Sequence, residues 1–179
     1  MRTIPSARGA ARIVAAVLLL SAGGCQKPGP EATAPSPPAP LAAGQAAPDF
    51  TLKDINGNIL SSRSLSGKPL VINFFATWCP PCREEIPGFV EVHNKYKGKG
   101  FELVGIALDT DTRENLPGFV MNHRIGYRIL LGNLETTRAY GGISTITTTV
   151  FVGRDGTIRR VVVGYIDRDG FEQEVKKLL

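Results

Sequence analysis

The feature that most restricts the fold is an apolar segment, residues 70–75, followed four residues later by the first of two closely spaced cysteines. The segment reads Leu-Val-Ile-Asn-Phe-Phe, and such near-continuous apolar character is typical of a strand covered on both faces. After Cys82, residues 83–87 favour a helix. A buried strand that passes directly into a helix through a Cys-x-x-Cys motif predicts an α/β domain whose chemistry lies at that junction.

The spacing of Cys79 and Cys82 predicts redox chemistry. Two cysteines separated by two residues can close a tight disulfide, and the positive end of a helix stabilises a thiolate on the first of them. We therefore expect Cys79 to be the nucleophile and the less exposed Cys82 to resolve the mixed disulfide. A structural disulfide and a zinc site remain alternatives, but zinc needs two more ligands, and Cys25, His93 and His123 are not paired at ligand spacing.

The pentapeptide Trp78-Cys79-Pro80-Pro81-Cys82, preceded by the segment 71–77, resembles the active-site sequence of the thioredoxin superfamily. The resemblance is greatest to the exported, membrane-tethered TlpA- and ResA-like thiol-disulfide oxidoreductases. Residues 47–52, 67–69 and 82–87 share the resemblance. It implies an α/β, thioredoxin-like three-layer fold with a mixed central sheet, an N-terminal β-hairpin and an inserted helix and strand between the two halves.

The resemblance also implies an acid-base residue. Asn73 stands where cytosolic thioredoxins carry a buried aspartate, and an asparagine does not titrate. In the ResA-like branch that role is attributed to a glutamate three residues after the second cysteine, which is the position of Glu85. Such a carboxylate can exchange a proton with Cys82. The alternative is a solvated first-turn glutamate, as expected for Glu84.

The segment 146–152 departs from the family pattern. Relatives carry a cis-proline at the position of Thr147, and a cis bond before any other residue costs about 2.5 to 4 kcal/mol. We therefore expect the bond between Ile146 and Thr147 to be trans or strained, and the threonine hydroxyl to bond the Cys79 thiolate, slow release of mixed disulfides or relax the exclusion of metal ions. The resemblance implies these substrate-binding residues: Trp78, Pro80, Pro81, Ile146 and Thr147.

Residues 1–25 have the anatomy of an export signal. Three arginines precede an apolar stretch at 13–20, small residues follow at 21–24, and Cys25 comes next. This arrangement resembles a bacterial lipoprotein cleavage site and makes Cys25 a candidate lipidation residue, although the usual leucine position holds Ala22. Cleavage that leaves a free Cys25 and an uncleaved anchor are the alternatives.

The remaining chain divides into a spacer and one domain. Residues 26–46 are rich in proline and alanine, which predicts an extended linker, and residues 47–179 form the thioredoxin domain. Within it the patterns predict strands and helices. The predicted strands are 50–52, 59–61, 70–75, 101–108, 127–131, 150–153 and 158–163, and the predicted helices follow Cys82 and span 112–123, 134–140 and 171–179.

Charge and motif content exclude several functions. The chain has 21 basic and 16 acidic residues, but three of the arginines lie in the leader, so the remainder carries 18 against 16 and a net charge of +2. That balance, without a basic cluster, argues against nucleic-acid binding. Peroxiredoxin chemistry is disfavoured because its threonine and proline positions hold Ala76 and Ile72. His93 and His123 are expected on helix surfaces.

These observations predict an exported, lipid-anchored dithiol enzyme without a cofactor or metal. An exported Cys-x-x-Cys protein needs a partner that supplies or removes electrons, because disulfides persist outside the cytoplasm. The resemblance implies exported disulfide proteins as substrates, as in cytochrome c maturation, and a membrane thiol reductase as electron donor. Net reduction is favoured over oxidation, and a non-catalytic copper-delivery module of the same fold is the alternative.

Overall fold

The computed structural model describes residues 39–179, so the predicted signal, Cys25 and most of the spacer lie outside the described residues. In the described part no helix is long and apolar enough to cross a membrane. The elements, in chain order, are β1 (Thr51–Lys53), β2 (Ile59–Ser61), β3 (Leu70–Phe75), α1 (Pro80–Tyr96), β4 (Glu102–Ala107), α2 (Leu116–Asn122), β5 (Arg128–Leu131), α3 (Leu134–Ala139), β6 (Thr148–Val152), β7 (Ile158–Val163) and α4 (Arg168–Leu178).

The central sheet has five strands in the order β5-β4-β3-β6-β7. β3 is parallel to β4 and β4 to β5, whereas β6 is antiparallel to both β3 and β7. The predicted mixed sheet is therefore confirmed, with β3 at its centre and β5 from the predicted insertion at one edge. The carboxyl ends of β3 and β4 lie side by side, which is where an open α/β sheet places its functional loops.

β3 supplies apolar side chains to both faces of the sheet. Val71 and Phe75 belong to the hydrophobic cluster beneath α1, and Ile72 and Phe74 belong to the cluster on the opposite face. This alternation follows from the two-residue period of a strand. Asn73 has the same parity as Val71 and Phe75, so the strand directs its amide toward α1.

α1 and α4 cover the first face. The rings of Phe89 on α1 and Phe171 on α4 stack with their centroids 3.9 Å apart. α1 begins directly after Cys79 and continues through Pro87 to Tyr96. The predicted cysteine-initiated helix is thus confirmed, and its packing against α4 fixes the helix over the sheet.

The first hairpin agrees with the sequence-based prediction, and the helix before β5 differs from it. The hairpin β1–β2 is confirmed, and Gly57 adopts a φ of +88° in its turn, a conformation that glycine adopts without steric cost. The helix predicted over 112–123 is shorter: a 3-10 turn at Arg113–Asn115 precedes α2. Pro117 in the first turn of α2 fits this start, because proline lacks an N–H and is best accommodated where a helix has no intrahelical acceptor for it.

Candidate active site

The two cysteines lie at the first turn of α1 and are joined by a disulfide, with their Cα atoms 5.4 Å apart. Cys79 is the N-cap residue with an extended backbone conformation. Its N–H donates to the carbonyl of Ala76 at 3.2 Å, and its own carbonyl accepts from the N–H of Arg83 at 3.2 Å. The backbone on both sides of Cys79 is therefore fixed by hydrogen bonds.

The two sulfur residues differ in access to solvent. Cys79 is 4% exposed and Cys82 is 0% exposed, so both are buried in the disulfide form and only Cys79 reaches the surface. Cys82 is thus the less exposed of the two cysteines, but the exposed fraction of Cys79 is also small in the disulfide form. Trp78 beside it is 58% exposed, and Pro80 and Pro81 are also exposed.

The first turn of α1 offers few backbone donors. Pro80 and Pro81 occupy its first two positions and carry no N–H, so among its first three residues only Cys82 has an amide hydrogen. A thiolate at Cys79 would thus be stabilised by one amide and by the helix dipole rather than by a full set of free N–H groups.

Glu85 points inward from α1 and is buried, whereas Glu84 is exposed. The solvated alternative for Glu85 is therefore wrong. Its Oε1 accepts hydrogen bonds from Nδ2 of Asn73 at 3.0 Å and from Oγ1 of Thr147 at 2.5 Å, while Oε2 has no hydrogen-bond partner. Burial raises the pKa of Glu85 from its ordinary value of 4.5 to about 7, against the opposing effects of these two donors and of the backbone amide of Ile166.

Asn73 joins the strands beneath Glu85. Its Nδ2 lies 2.8 Å from Oγ1 of Thr147 and 3.0 Å from Oγ1 of Thr149, its direct partner across the antiparallel pair of β3 and β6. All four side chains of this set are buried. The non-titrating asparagine thus serves as a donor that orients a buried titratable group.

The loop before β6 has a cis peptide bond between Ile146 and Thr147, so the trans alternative is wrong. The carbonyl of Thr147 accepts from the N–H of Gly164 at 2.8 Å. Thr147 is 0% exposed, and its hydroxyl donates to Glu85. The expected bond from this hydroxyl to Cys79 is therefore not made in the disulfide form. Of the two predicted substrate-binding residues in this loop, only Ile146 reaches the surface.

Of the two histidines predicted on helix surfaces, His93 contradicts the prediction and His123 does not. His93 is buried, its ring meets Tyr127 edge-on with centroids 5.6 Å apart, and its Nδ1 has no hydrogen-bond partner. Burial lowers the pKa of His93. The pKa of the neighbouring Tyr127 is raised, mainly by burial and to a smaller extent by the negative charge of Glu85. His123 is half-buried and its Nδ1 lies 3.0 Å from the carbonyl of Phe119.

Asp109 is a buried carboxylate that the sequence reasoning missed. It follows the carboxyl end of β4, and both of its oxygens accept from the N–H of Thr77 at 3.2 Å. Oδ1 also accepts from the hydroxyls of Thr77 and Thr112, each at 2.5 Å. The sequence feature that could have indicated a role for Asp109 is its position in the loop just after β4, the strand beside β3. Among residues 39–179, no group of three or more side chains is arranged to hold a metal ion.

A mixed sheet flanked by helices, with a disulfide in the first turn of the helix that follows the central strand, defines a thioredoxin-like disulfide oxidoreductase. The chain belongs to the AhpC/TSA family, whose model matches residues 43–161.

Individual relatives agree with this class. Thiol-disulfide oxidoreductase ResA of Bacillus thuringiensis subsp. konkukian is 31% identical over 137 residues, which span 75% of this chain and 78% of that protein. A thioredoxin family thiol:disulfide interchange protein from Chlorobium tepidum has a TM-score of 0.70 and 36% identity, covering 77% of this chain and 98% of its own. A secreted Mycobacterium tuberculosis disulfide oxidoreductase, homologous to E. coli DsbE, has a TM-score of 0.65 and 26% identity over 72% and 96%. The chain is a thiol-disulfide oxidoreductase of thioredoxin fold.

Proposed function

We propose that this enzyme is an exported, membrane-tethered reductase of disulfides in exported proteins, with Cys79 as the nucleophile and Cys82 as the resolving thiol. The observation that carries the assignment is the asymmetry of the disulfide. Cys79 caps the helix and reaches the surface, whereas Cys82 is fully enclosed. An attacking thiol must meet a large substrate, and a resolving thiol needs only to reach its neighbour.

The reaction transfers two electrons from the enzyme dithiol to the substrate disulfide. The Cys79 thiolate attacks one substrate sulfur, a mixed disulfide forms, and the other substrate sulfur leaves as a thiolate that takes up a proton. Cys82 then loses its proton and attacks the sulfur of Cys79, which releases the second substrate thiol and closes the disulfide. A membrane thiol reductase returns the two electrons for the next cycle.

Glu85 is the proposed acceptor of the Cys82 proton. It lies three residues after Cys82 on the same helix, so the two side chains share a face. A pKa near 7 allows this carboxyl to take and return a proton at neutral pH. The unpartnered Oε2 is the atom free to carry that proton, since Oε1 is already engaged by Asn73 and Thr147.

The exposed residues around the disulfide form the proposed substrate contact. Trp78, Pro80 and Pro81 are exposed around the start of α1. Ile146, in the loop before β6, packs against the hydrophobic cluster that contains both cysteines. An exposed tryptophan supplies a large apolar contact at a docking surface. Thr147 is buried beneath this surface, and its proposed contribution to substrate contact comes from its backbone position and its hydrogen bond to Glu85.

In the proposed function the domain acts outside the cytoplasm and is held at the membrane by a lipid on Cys25. Residues 1–25 have the anatomy of an export signal, and the proline-rich residues that follow would give the domain reach from the membrane. The secreted relative from Mycobacterium tuberculosis supports export. Among exported substrates, apocytochrome c thiols are the proposed example, on the resemblance to ResA-like enzymes.

The test compares two serine variants of the full-length protein in the reduction of insulin disulfides with dithiothreitol as electron source. Cys79→Ser should abolish turnover without forming mixed disulfides. Cys82→Ser should also stop turnover. After this variant is reduced and the dithiothreitol is removed, mixing it with insulin should accumulate a mixed disulfide between Cys79 and the substrate, visible on a non-reducing gel. Equal trapping by both variants contradicts the assignment. Stoichiometric copper in the purified reduced protein, with no insulin reduction, would favour the metal-delivery alternative.

A further inference from the structure

The carboxylate of Asp109 joins the two loops that flank the exposed side of the site. One loop, between β3 and α1, contributes Thr77, and the other, between β4 and α2, contributes Thr112. Asp109 is 1% exposed, and its oxygens accept from one N–H and two hydroxyls. A buried carboxylate satisfied in this way holds its donors firmly, because losing a charge-assisted bond in the interior is costly.

The second loop is held in turn by Arg113. Its Nε donates to the carbonyl of Asp109 at 2.9 Å, and one terminal nitrogen donates to the carbonyl of Gly132 at 2.9 Å. These bonds fix the backbone that carries the carboxylate. The anchor for Thr77 is therefore itself immobilised against the end of β5.

The bonds from Asp109 act on Trp78 rather than on Cys79. The N–H of Cys79 donates to the carbonyl of Ala76, so residues 76–79 form a turn with Thr77 and Trp78 at its tip. Cys79 is fixed independently by this bond and by the helix bond from Arg83. The tip has no comparable backbone bond, and Asp109 provides its attachment through Thr77.

The fixed tip forms one side of an open groove of about 550 Å³ that reaches from Trp78 and Arg83 to α2. Trp78 and Thr77 line it from the first loop, and Thr112 and Phe119 line it from the second loop and α2. One residue of each wall, Thr77 and Thr112, thus bonds to the same carboxylate.

We infer that Asp109 is a positioning residue for substrate docking: through Thr77 and Thr112 it holds Trp78 in place for contact with the protein substrate. The inference rests on the proposed function of Cys79. Because Cys79 has its own backbone bonds, the effect of Asp109 falls on recognition of large substrates and leaves the thiol chemistry intact. Interactions that only bind substrate raise KM when removed and leave kcat unchanged.

The experiment measures KM and kcat of the full-length protein for insulin, the rate with oxidised glutathione, and alkylation of Cys79 by iodoacetamide. Asp109→Asn keeps the shape of the side chain but places an amide among donors. We expect its KM for insulin to rise about three- to tenfold, a fraction of the effect of losing a central tryptophan contact. The rates with glutathione and iodoacetamide should stay within about twofold of wild type. Asp111→Asn, an exposed change two residues away, is the matched control and should change none of these values.

A double-mutant cycle tests whether Asp109 acts through Trp78. In a Trp78→Ala background, Asp109→Asn should raise KM no further, because the side chain that it positions is gone. Thr77→Val, which removes one donor and keeps the carboxylate, carries the same test if Asp109→Asn does not fold. An unchanged KM, an equal loss with glutathione, or additive effects in the cycle would overturn the inference. Retained insulin reduction by Cys79→Ser would instead contradict the proposed function, so the two failures are distinct.

Discussion

The hydroxyl of Thr147 donates a hydrogen bond to Oε1 of Glu85 at 2.5 Å, and both residues are buried. The bond ties the loop before β6 to the helix that carries the disulfide. A proline at position 147 would offer no such donor. The buried carboxyl of this enzyme is therefore held by a residue of the loop itself, with Asn73 as the second donor.

The first prediction concerns the free energy of unfolding of the oxidised protein. The pKa of Glu85 is about 7 in the folded chain and 4.5 as an ordinary value, so between these pH values the folded state binds the extra proton. The stabilising contribution is complete below about pH 4.5 and is lost as the pH rises through 7, a loss of about 3 kcal/mol. Glu85→Gln should remove this dependence. Urea unfolding between pH 4 and 8 measures it, and the exposed neighbour Glu84→Gln should retain the wild-type dependence.

The second prediction concerns the pKa of Glu85 itself. Thr147→Val keeps the shape of the side chain and removes the donor to the carboxylate, so the pKa of Glu85 should rise further, by about one unit. Thr147→Ser keeps the hydroxyl and should leave the pKa near 7. Titration of the Glu85 carboxyl carbon by NMR distinguishes the two. An identical pKa in the valine and serine variants would mean that burial alone sets it.

The third prediction concerns the reactivity of Cys79 in the reduced protein. Pro81→Ala adds an N–H at the second position of α1, which should increase the thiolate fraction of Cys79. Alkylation by iodoacetamide at pH 6 should become about twofold faster, because lower intrinsic nucleophilicity offsets part of the gain. Pro87→Ala, the same change further along the helix, should not alter the rate. Equal acceleration in both variants would point to helix flexibility instead of the added amide.

The fourth prediction concerns the contact between α1 and α4. A Cβ at Gly88 would lie 2.8 Å from Cβ of Arg168, closer than two carbon atoms approach in a packed interior. Gly88→Ala should lower the free energy of unfolding by about 1–3 kcal/mol. Gly118→Ala on α2 meets no atom within 4 Å and should be neutral or stabilising by up to about 1 kcal/mol. Thermal unfolding of the oxidised variants measures both, and equal effects would refute the packing explanation.

Much of the fold followed from local pattern. The near-continuous apolar run of residues 70–75, the strand patterns at 50–52 and 59–61 and the position of the Cys-x-x-Cys motif predicted the central strand, the first hairpin and the helix. These features are encoded by neighbouring residues, so periodicity and turn chemistry reveal them. The start of α2 was less accessible, because a 3-10 turn and a helix share similar local preferences.

The sequence by itself determined the chemistry available to this protein: two cysteines at a helix start, a glutamate one turn later and a threonine at position 147. Only the tertiary structure decided how those groups are used. Thr147 and Glu85 are 62 residues apart in the chain, and Asp109 and Thr77 are 32 apart. Contacts at such separations depend on strand order and on which face each side chain takes. Burial then sets the pKa of Glu85, because desolvation is a property of the packed interior and has no local sequence signature.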